Sequence, residues 1–340
     1  MSVHLPMPTP VREITGIDPA ALPDELLQST EPVVVRGLVR HWPAVQAALA
    51  SGAAVSQLLR RCWRDATVNA WIGAPEIEGR FFYDAQFSGF NFHAERLPLG
   101  SVLDALARHH ADPRPPSLYV GSTTIDTCLP GFRDDNDLGF GKLQPLMSLW
   151  LGNRTRIAAH QDLPANLACV VAGRRRFTLF EPGEVGNLYI GPLDFTPAGQ
   201  PVSLVDITAP DLDRFPRYAD AARRARGAEL APGDAILIPS LWWHHVEATT
   251  PFNALVNYWW RDTPEHMDAP VAALLHTILC VRELPPEQRR AWQQLFEHYV
   301  FAADASTAAH IPEHARGVLK PLDAEASRRL RAQLLQKLNR

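Results

Sequence analysis

His160 and Asp162 stand two residues apart in "RIAAHQDLPANLACVV", a run apolar enough to be buried strand. Residues i and i+2 of a strand leave the same face, so a neutral imidazole and a carboxylate would emerge side by side. Such a pair supplies two of the three protein ligands of a 2-His-1-carboxylate site, a donor set suited to ferrous iron with coordination positions left open. Spacing alone does not single it out. The H-x-[DE] pattern recurs at His93/Glu95, His110/Asp112, His245/Glu247 and His266/Asp268, and a chain with 13 His and 37 acidic residues produces some of these by chance. Context separates them. His110/Asp112 falls at a helix end and a Pro-rich loop, and His266/Asp268 follows "DTPE" and leads into helix, whereas His160/Asp162 precedes the most apolar stretch of the chain.

A third ligand must come from another strand, and "SLWWHHVEATT" (240–250) offers two histidines. Alternation sets Trp242, His244, Val246 and Ala248 on one face and His245, Glu247 and Thr249 on the other. The first set reads as interior and the second as solvent-facing, so His244 is the expected ligand and His245 a solvated histidine. The plain alternative makes His244 a satisfied core histidine. Three consecutive arginines, Arg174, Arg175 and Arg176, follow a glycine, and one of them must point opposite to the other two. An arginine aimed into a barrel needs an anion, which a dicarboxylate would provide through a bidentate contact. Three outward charges at a hairpin remain the competing reading.

The elements that must position these groups are mostly short strands. After "PVVVRG" (32–37) and "TVNAWIG" (67–73), with helices expected over 55–63 and 98–110, the Pro-rich "ADPRPPS" (111–117) opens a series: "LYVGS", "MSLWLG", "RIAAHQD", "NLACVVAG", "RRFTLFEP", "AILIPS", "HHVEA" and "FNALVNYWWRD". Many short strands with turn signals between them argue for a sandwich or barrel, mainly β with flanking helices. Residues 186–229 interrupt the series as an insertion. After Thr263 the period changes to 3.6: Trp292, Leu295, Phe296, Tyr299 and Val300 share one helix face, and Leu330, Leu334 and Leu338 another.

Composition narrows the function classes. The 340 residues are 46% hydrophobic, ample for a large core, with a net charge of −4 and no block of like charges that would mark a nucleic-acid arm. No window approaches a membrane-spanning apolar run. The opening "MSVHLPMPTPVREITG" has neither a cationic start nor an apolar core, so no secretory leader is expected. Cys62, Cys128, Cys169 and Cys280 are scattered without a CxxC pair, which suits free thiols in a reducing cytoplasm.

From Pro32 to Arg261 the chain resembles the JmjC-type, cupin-like Fe(II)/2-oxoglutarate oxygenases, most closely the branch containing the asparaginyl hydroxylase that inhibits the hypoxia-inducible factor. The motifs that carry the resemblance come in order: H-x-D, then Asn, G-x-[KR]-R-x-x-L-F-x-P, the loop "VDITAPDLDRFP", PGD, IP-x-x-WWHH and VN-[YF]-W. The resemblance implies a double-stranded β-helix (jelly-roll) over 116–262, an N-terminal α/β region over 1–115 packing on it, and a helical region over 263–340 that forms a homodimer; the alternative use of its apolar stripe is packing against the chain's own N-terminal region. It implies iron on His160, Asp162 and His244, with 2-oxoglutarate and O2 as co-substrates. Arg175 would grip the distal carboxylate of 2-oxoglutarate with help from Tyr119, and Asn166, Asn257 and Trp259 would line the same pocket. The implied activity is C–H hydroxylation coupled to oxidative decarboxylation of 2-oxoglutarate. A protein side chain is the first choice of substrate, with a free amino acid or other metabolite, or a non-enzymatic metal-binding cupin, as alternatives. Two positions depart from the pattern. Arg175 replaces the usual lysine, in a chain with three lysines among 33 basic residues. Ile157 stands where relatives carry a threonine hydroxyl.

Overall fold

The computed structural model describes residues 5–339, so the first four residues of the stretch read for a leader lie outside it. Alternating apolar residues in the strand series must bury one face each, and they do so between two facing sheets. The larger sheet has nine strands in the order β2 (Arg12–Ile14), β3 (Val33–Val35), β13 (Ala235–Ile238), β10 (Ala165–Ala172), β15 (Asn253–Trp260), β8 (Leu146–Gly152), β7 (Ser117–Thr124), β4 (Thr67–Gly73) and β6 (Phe92–Pro98). The smaller has six, β1 (Thr9–Pro10), β12 (Arg226–Leu230), β11 (Arg175–Phe180), β14 (Trp243–Ala248), β9 (Thr155–His160) and β5 (Arg80–Phe81). From β8 to β15 the chain passes back and forth between the sheets. β8, β15, β10 and β13 pair antiparallel on one side, and β9, β14, β11 and β12 on the other. Four strands facing four in this order make a jelly-roll.

Its interior is packed by Val170, Phe177, Leu179, Leu230, Ile236, Ile238 and Leu255. The outer face of the larger sheet is buried under helices Pro43–Ala50, Gly52–Cys62 and Leu99–Arg108 through Val45, Leu59, Leu103 and Leu106. The hairpin from β10 to β11 turns at Gly173, which has φ +78° and no room for a Cβ: one would lie 2.2 Å from Asn253 Oδ1.

Strands from the first 115 residues join both sheets: β2, β3, β4 and β6 extend the larger and β1 and β5 the smaller. The compact unit that contains the jelly-roll runs to Arg261. The insertion expected over 186–229 ends earlier, since Arg226–Leu230 is strand β12, paired residue for residue with β11. "RGAEL" carries little alternation, so only its partner strand defines it.

The second unit begins at Asp262. It contains helices Pro270–Val281, Pro286–Phe296 and Ala324–Leu338. The aromatic stripe expected on one helix face spans the second of these and a π-helical turn, Glu297–Phe301. No helix among the described residues is long and apolar enough to cross a membrane.

Candidate metal and co-substrate site

His160 ends β9 and faces His244 directly across the β9–β14 pair. Between this pair and Val246–Ile157 the register slips, so β9 carries one residue more than β14, a bulge of the kind that re-aims side chains beside a site. The strand stops at His160, and Asp162 therefore lies on the following loop instead of the pleat from which it was expected to project. Two ties hold that loop: the Leu241 amide donates to Asp162 O at 2.9 Å, and the Ser240 hydroxyl donates to Leu163 O at 2.6 Å. The ligand-type atoms of His160, Asp162 and His244 all lie within 4.8 Å of one another.

Each histidine is oriented through Nδ1. That of His160 lies 2.9 Å from Ala158 O and that of His244 3.0 Å from Trp242 O. A carbonyl can only accept, so Nδ1 carries the proton and Nε2 keeps its lone pair for the site. Burial, reinforced by the neighbouring His160, holds the His244 imidazole well below the ordinary histidine range, with Asp162 opposing. A neutral imidazole is the form that binds a metal.

His245 corrects the sequence reading. Alternation holds, and His245 does face away from the interior, but that face is not solvent. The insertion packs Leu188, Val205, Phe215, Tyr218 and Ala221 over Ala159, Phe180 and Trp243 on the outer side of the smaller sheet. His245 is 4% exposed, neither ring nitrogen has a hydrogen-bond partner, and burial pushes it down to about 4. A strand's polar face signals solvent only when no insertion covers it.

The three arginines separate as parity requires. Arg176 points outward to Glu229 at 2.8 Å and Arg174 sits at the turn, while Arg175 points inward and is 5% exposed. Its Nε has no partner, and burial lowers its guanidinium to about 10, which leaves it charged at neutral pH. Burial holds the nearby Tyr119 phenol above its ordinary range, with Arg175 opposing, so the hydroxyl stays a donor. Asn257 links the opposite wall, accepting from Trp150 Nε1 at 2.7 Å and donating to Asn166 Oδ1 at 3.2 Å. Trp259 Nε1 is buried without a partner. Tyr119, His160, Asp162, Asn166, Arg175, His244, Asn257 and Trp259 thus line one cavity, with Ile157 between them.

Sequence reasoning missed the neighbourhood of this cavity. Six of its residues, Trp150 and Ile157 among them, also line a second space of about 700 Å³ with Trp71, Phe81, Phe90 and Phe92. The signal was the density of rings in "FFYDAQFSGFNF" (81–92), which precedes the strand series.

A jelly-roll that brings two histidines and a carboxylate together beside an inward arginine is a cupin-type arrangement whose donors could hold a metal ion. The chain belongs to the cupin-like domain family, which it matches over residues 19–266. Relatives carry the resemblance further. Human HSPB1-associated protein 1 is 30% identical over 162 residues, 46% of this chain and 33% of its own. The human bifunctional peptidase and (3S)-lysyl hydroxylase JMJD7 is 27% identical over 267 residues, 67% of this chain and 77% of its own. Lysine-specific demethylase 8 of Xenopus tropicalis is 25% identical over 247 residues, 70% and 49%. The chain spans about a third of the length of the HSPB1-associated relatives it matches. The likeness to JmjC-type cupin-like oxygenases read from the motifs is met by these relatives.

Proposed function

We propose that the protein is an Fe(II)/2-oxoglutarate-dependent dioxygenase that hydroxylates a protein side chain. One arrangement carries the reading: three metal-type donors share a cavity with a buried guanidinium that has no carboxylate partner among the described residues. The donors fit ferrous iron in type and number, and they leave the remaining coordination positions to small molecules. His160, Asp162 and His244 would hold the ion, and Arg175 with the Tyr119 hydroxyl the distal carboxylate of 2-oxoglutarate. Bound there, iron and 2-oxoglutarate would supply the oxidising power that places one oxygen atom of O2 in a C–H bond, with succinate and CO2 released.

The chain's own residues do the rest. Ala158 O and Trp242 O fix the imidazole rings, and the two ties on the Asp162 loop fix the carboxylate. Arg175 offers a fixed positive charge in a site partly closed to water, where a charge-assisted contact is strongest. Trp259 Nε1 and the Asn166–Asn257 pair offer polar contacts on the facing wall. Ile157 makes none.

Two relatives are named a lysyl hydroxylase and a lysine-specific demethylase; a protein side chain, without commitment to lysine, is the substrate class proposed here, with a small metabolite as the alternative. The four cysteines are free, which suits a cytoplasmic setting. In the second unit Leu279 and Phe301 are each about three-quarters exposed, and Trp292, Leu295 and Val300 are exposed as well. A second copy of the chain is the proposed cover for these apolar side chains. Succinate formation from 2-oxoglutarate by the full chain with added Fe(II) tests the activity. A protein that binds the metal but forms no succinate is instead a metal-binding cupin without turnover.

A further inference from the structure

The space of about 700 Å³ adjoining the triad is walled by rings that the N-terminal region contributes: Trp71 from β4, Phe81 from β5, Phe92 from β6 and Phe90 from the segment just before it. These rings pack against one another. Trp71 stacks on Phe92 with centroids 4.6 Å apart, and Phe90 stacks on Phe92 at 5.3 Å and on Phe195 at 5.0 Å. Apart from His160 and Asp162, no residue lining the space is acidic or basic, and the polar members are neutral ones such as Asn69, Ser122 and Gln200. A space of this size suits a ligand much larger than water.

We infer that this vestibule receives an uncharged, largely apolar group of the substrate, an aromatic or branched aliphatic side chain or ring, and turns away ammonium groups such as that of lysine. The inference rests on the oxygenase reading for the direction in which the substrate enters. An ammonium brought inside would be desolvated with no carboxylate to meet it other than Asp162, which already lies 3.7 Å from His244. Aromatic walls attract cations only through ring faces. Here Phe90 and Phe92 each stack on two neighbours, and Trp71 and Phe195 each give one face to the same column, while ring edges carry the positive end of the quadrupole. Those edges favour the electron-rich face of another ring or a carbonyl oxygen. Gly121 on β7 lets two lining rings lie close to its backbone: a Cβ there would lie 3.2 Å from the Trp150 ring and 3.4 Å from that of Tyr119.

The test is ligand-observed NMR titration of the full chain, without metal or co-substrate, with the N-acetyl amides of phenylalanine, leucine and lysine as probes. It is run on the wild type and on Asp162→Asn, so that attraction to that one carboxylate is not counted. The phenylalanine and leucine amides should bind at least about tenfold more tightly than the lysine amide. Ala94→Trp, at an exposed position of the lining directly across from Trp71, should remove the binding of the neutral probes. Ala94→Glu should narrow the gap in favour of lysine. Equal or tighter binding of the lysine amide in Asp162→Asn, or neutral probes indifferent to Ala94→Trp, overturns the inference. A nine-residue peptide with central phenylalanine that binds more tightly than the amide points to a protein segment as the source, and equal binding to a free small molecule; both keep the class. Failure of the succinate assay with neutral-probe binding intact sinks the oxygenase reading alone.

Discussion

Replacing Arg175 by alanine tests the anion site, and the structure sets the size of the effect. The guanidinium is buried, has no carboxylate partner among the described residues and is held down to about 10 by burial. At about 1.4 kcal/mol for each tenfold change in protonation, its departure from the ordinary arginine value corresponds to roughly 3 kcal/mol of desolvation. Because the charged form is the disfavoured one, that cost is in force at every pH below about 10, neutrality included. A carboxylate brought against Arg175 offsets it, and removing one partner of such a contact costs about 2–5 kcal/mol. Arg175→Ala should therefore raise the KM for 2-oxoglutarate roughly 30-fold or more, since 1.4 kcal/mol is about tenfold. Arg175→Lys should recover part of the loss as a point charge without the fork. Arg176→Ala, which removes an exposed pair with Glu229, and Arg174→Ala should change KM little, exposed pairs being worth under about 1 kcal/mol. The same desolvation predicts that Arg175→Met, measured by urea unfolding without co-substrate, is at least as stable as the wild type, because a buried unpaired charge gives way to an apolar chain of similar reach. The assay is succinate release against 2-oxoglutarate concentration for each variant. A flat response at Arg175 with a large one at Arg174 or Arg176 would refute the inward assignment, and a flat response at all three would place the anion site elsewhere.

Three further outcomes are expected. His160→Ala, Asp162→Ala and His244→Ala should each abolish tight Fe(II) binding measured by calorimetry, whereas His245→Ala should keep the stoichiometry and lower the Tm, since it empties a buried position. His245 also sets a pH window: its folded value near 4 lies below the ordinary 6.5, so between those limits the unfolded chain takes up a proton that the folded chain refuses, and stability falls as pH falls. His245→Gln should flatten the loss of Tm between pH 6.5 and 4, and an unchanged slope would show that other groups govern it. Trp292→Asp combined with Leu279→Asp should lower the mass seen by light scattering if the second unit pairs two copies, and an unchanged mass in a folded protein removes these helices as the contact.

Local pattern carried the strands whose neighbours leave no choice. "TVNAWIG" is β4 over its full length. Parity required only that one of the three arginines face opposite to the other two; the resemblance picked out Arg175, and the structure turns it inward with Phe177 and Leu179. The pairing of His160 and Asp162 with His244 was legible in the same way, from residue types, alternation and ordered motifs. Tertiary structure decided what lies across from each face, since burial is a property of two surfaces and sequence shows only one of them. His245 reads as solvated until the insertion closes over it, and Asp162 reads as a strand residue until the chain leaves β9 at His160. "RGAEL" becomes a strand only beside β11. The rings at 71, 81, 90 and 92 are scattered apolar residues until β4, β5 and β6 bring them to one wall. Periodicity records which side of an element is apolar; it holds no record of which distant element arrives to cover it.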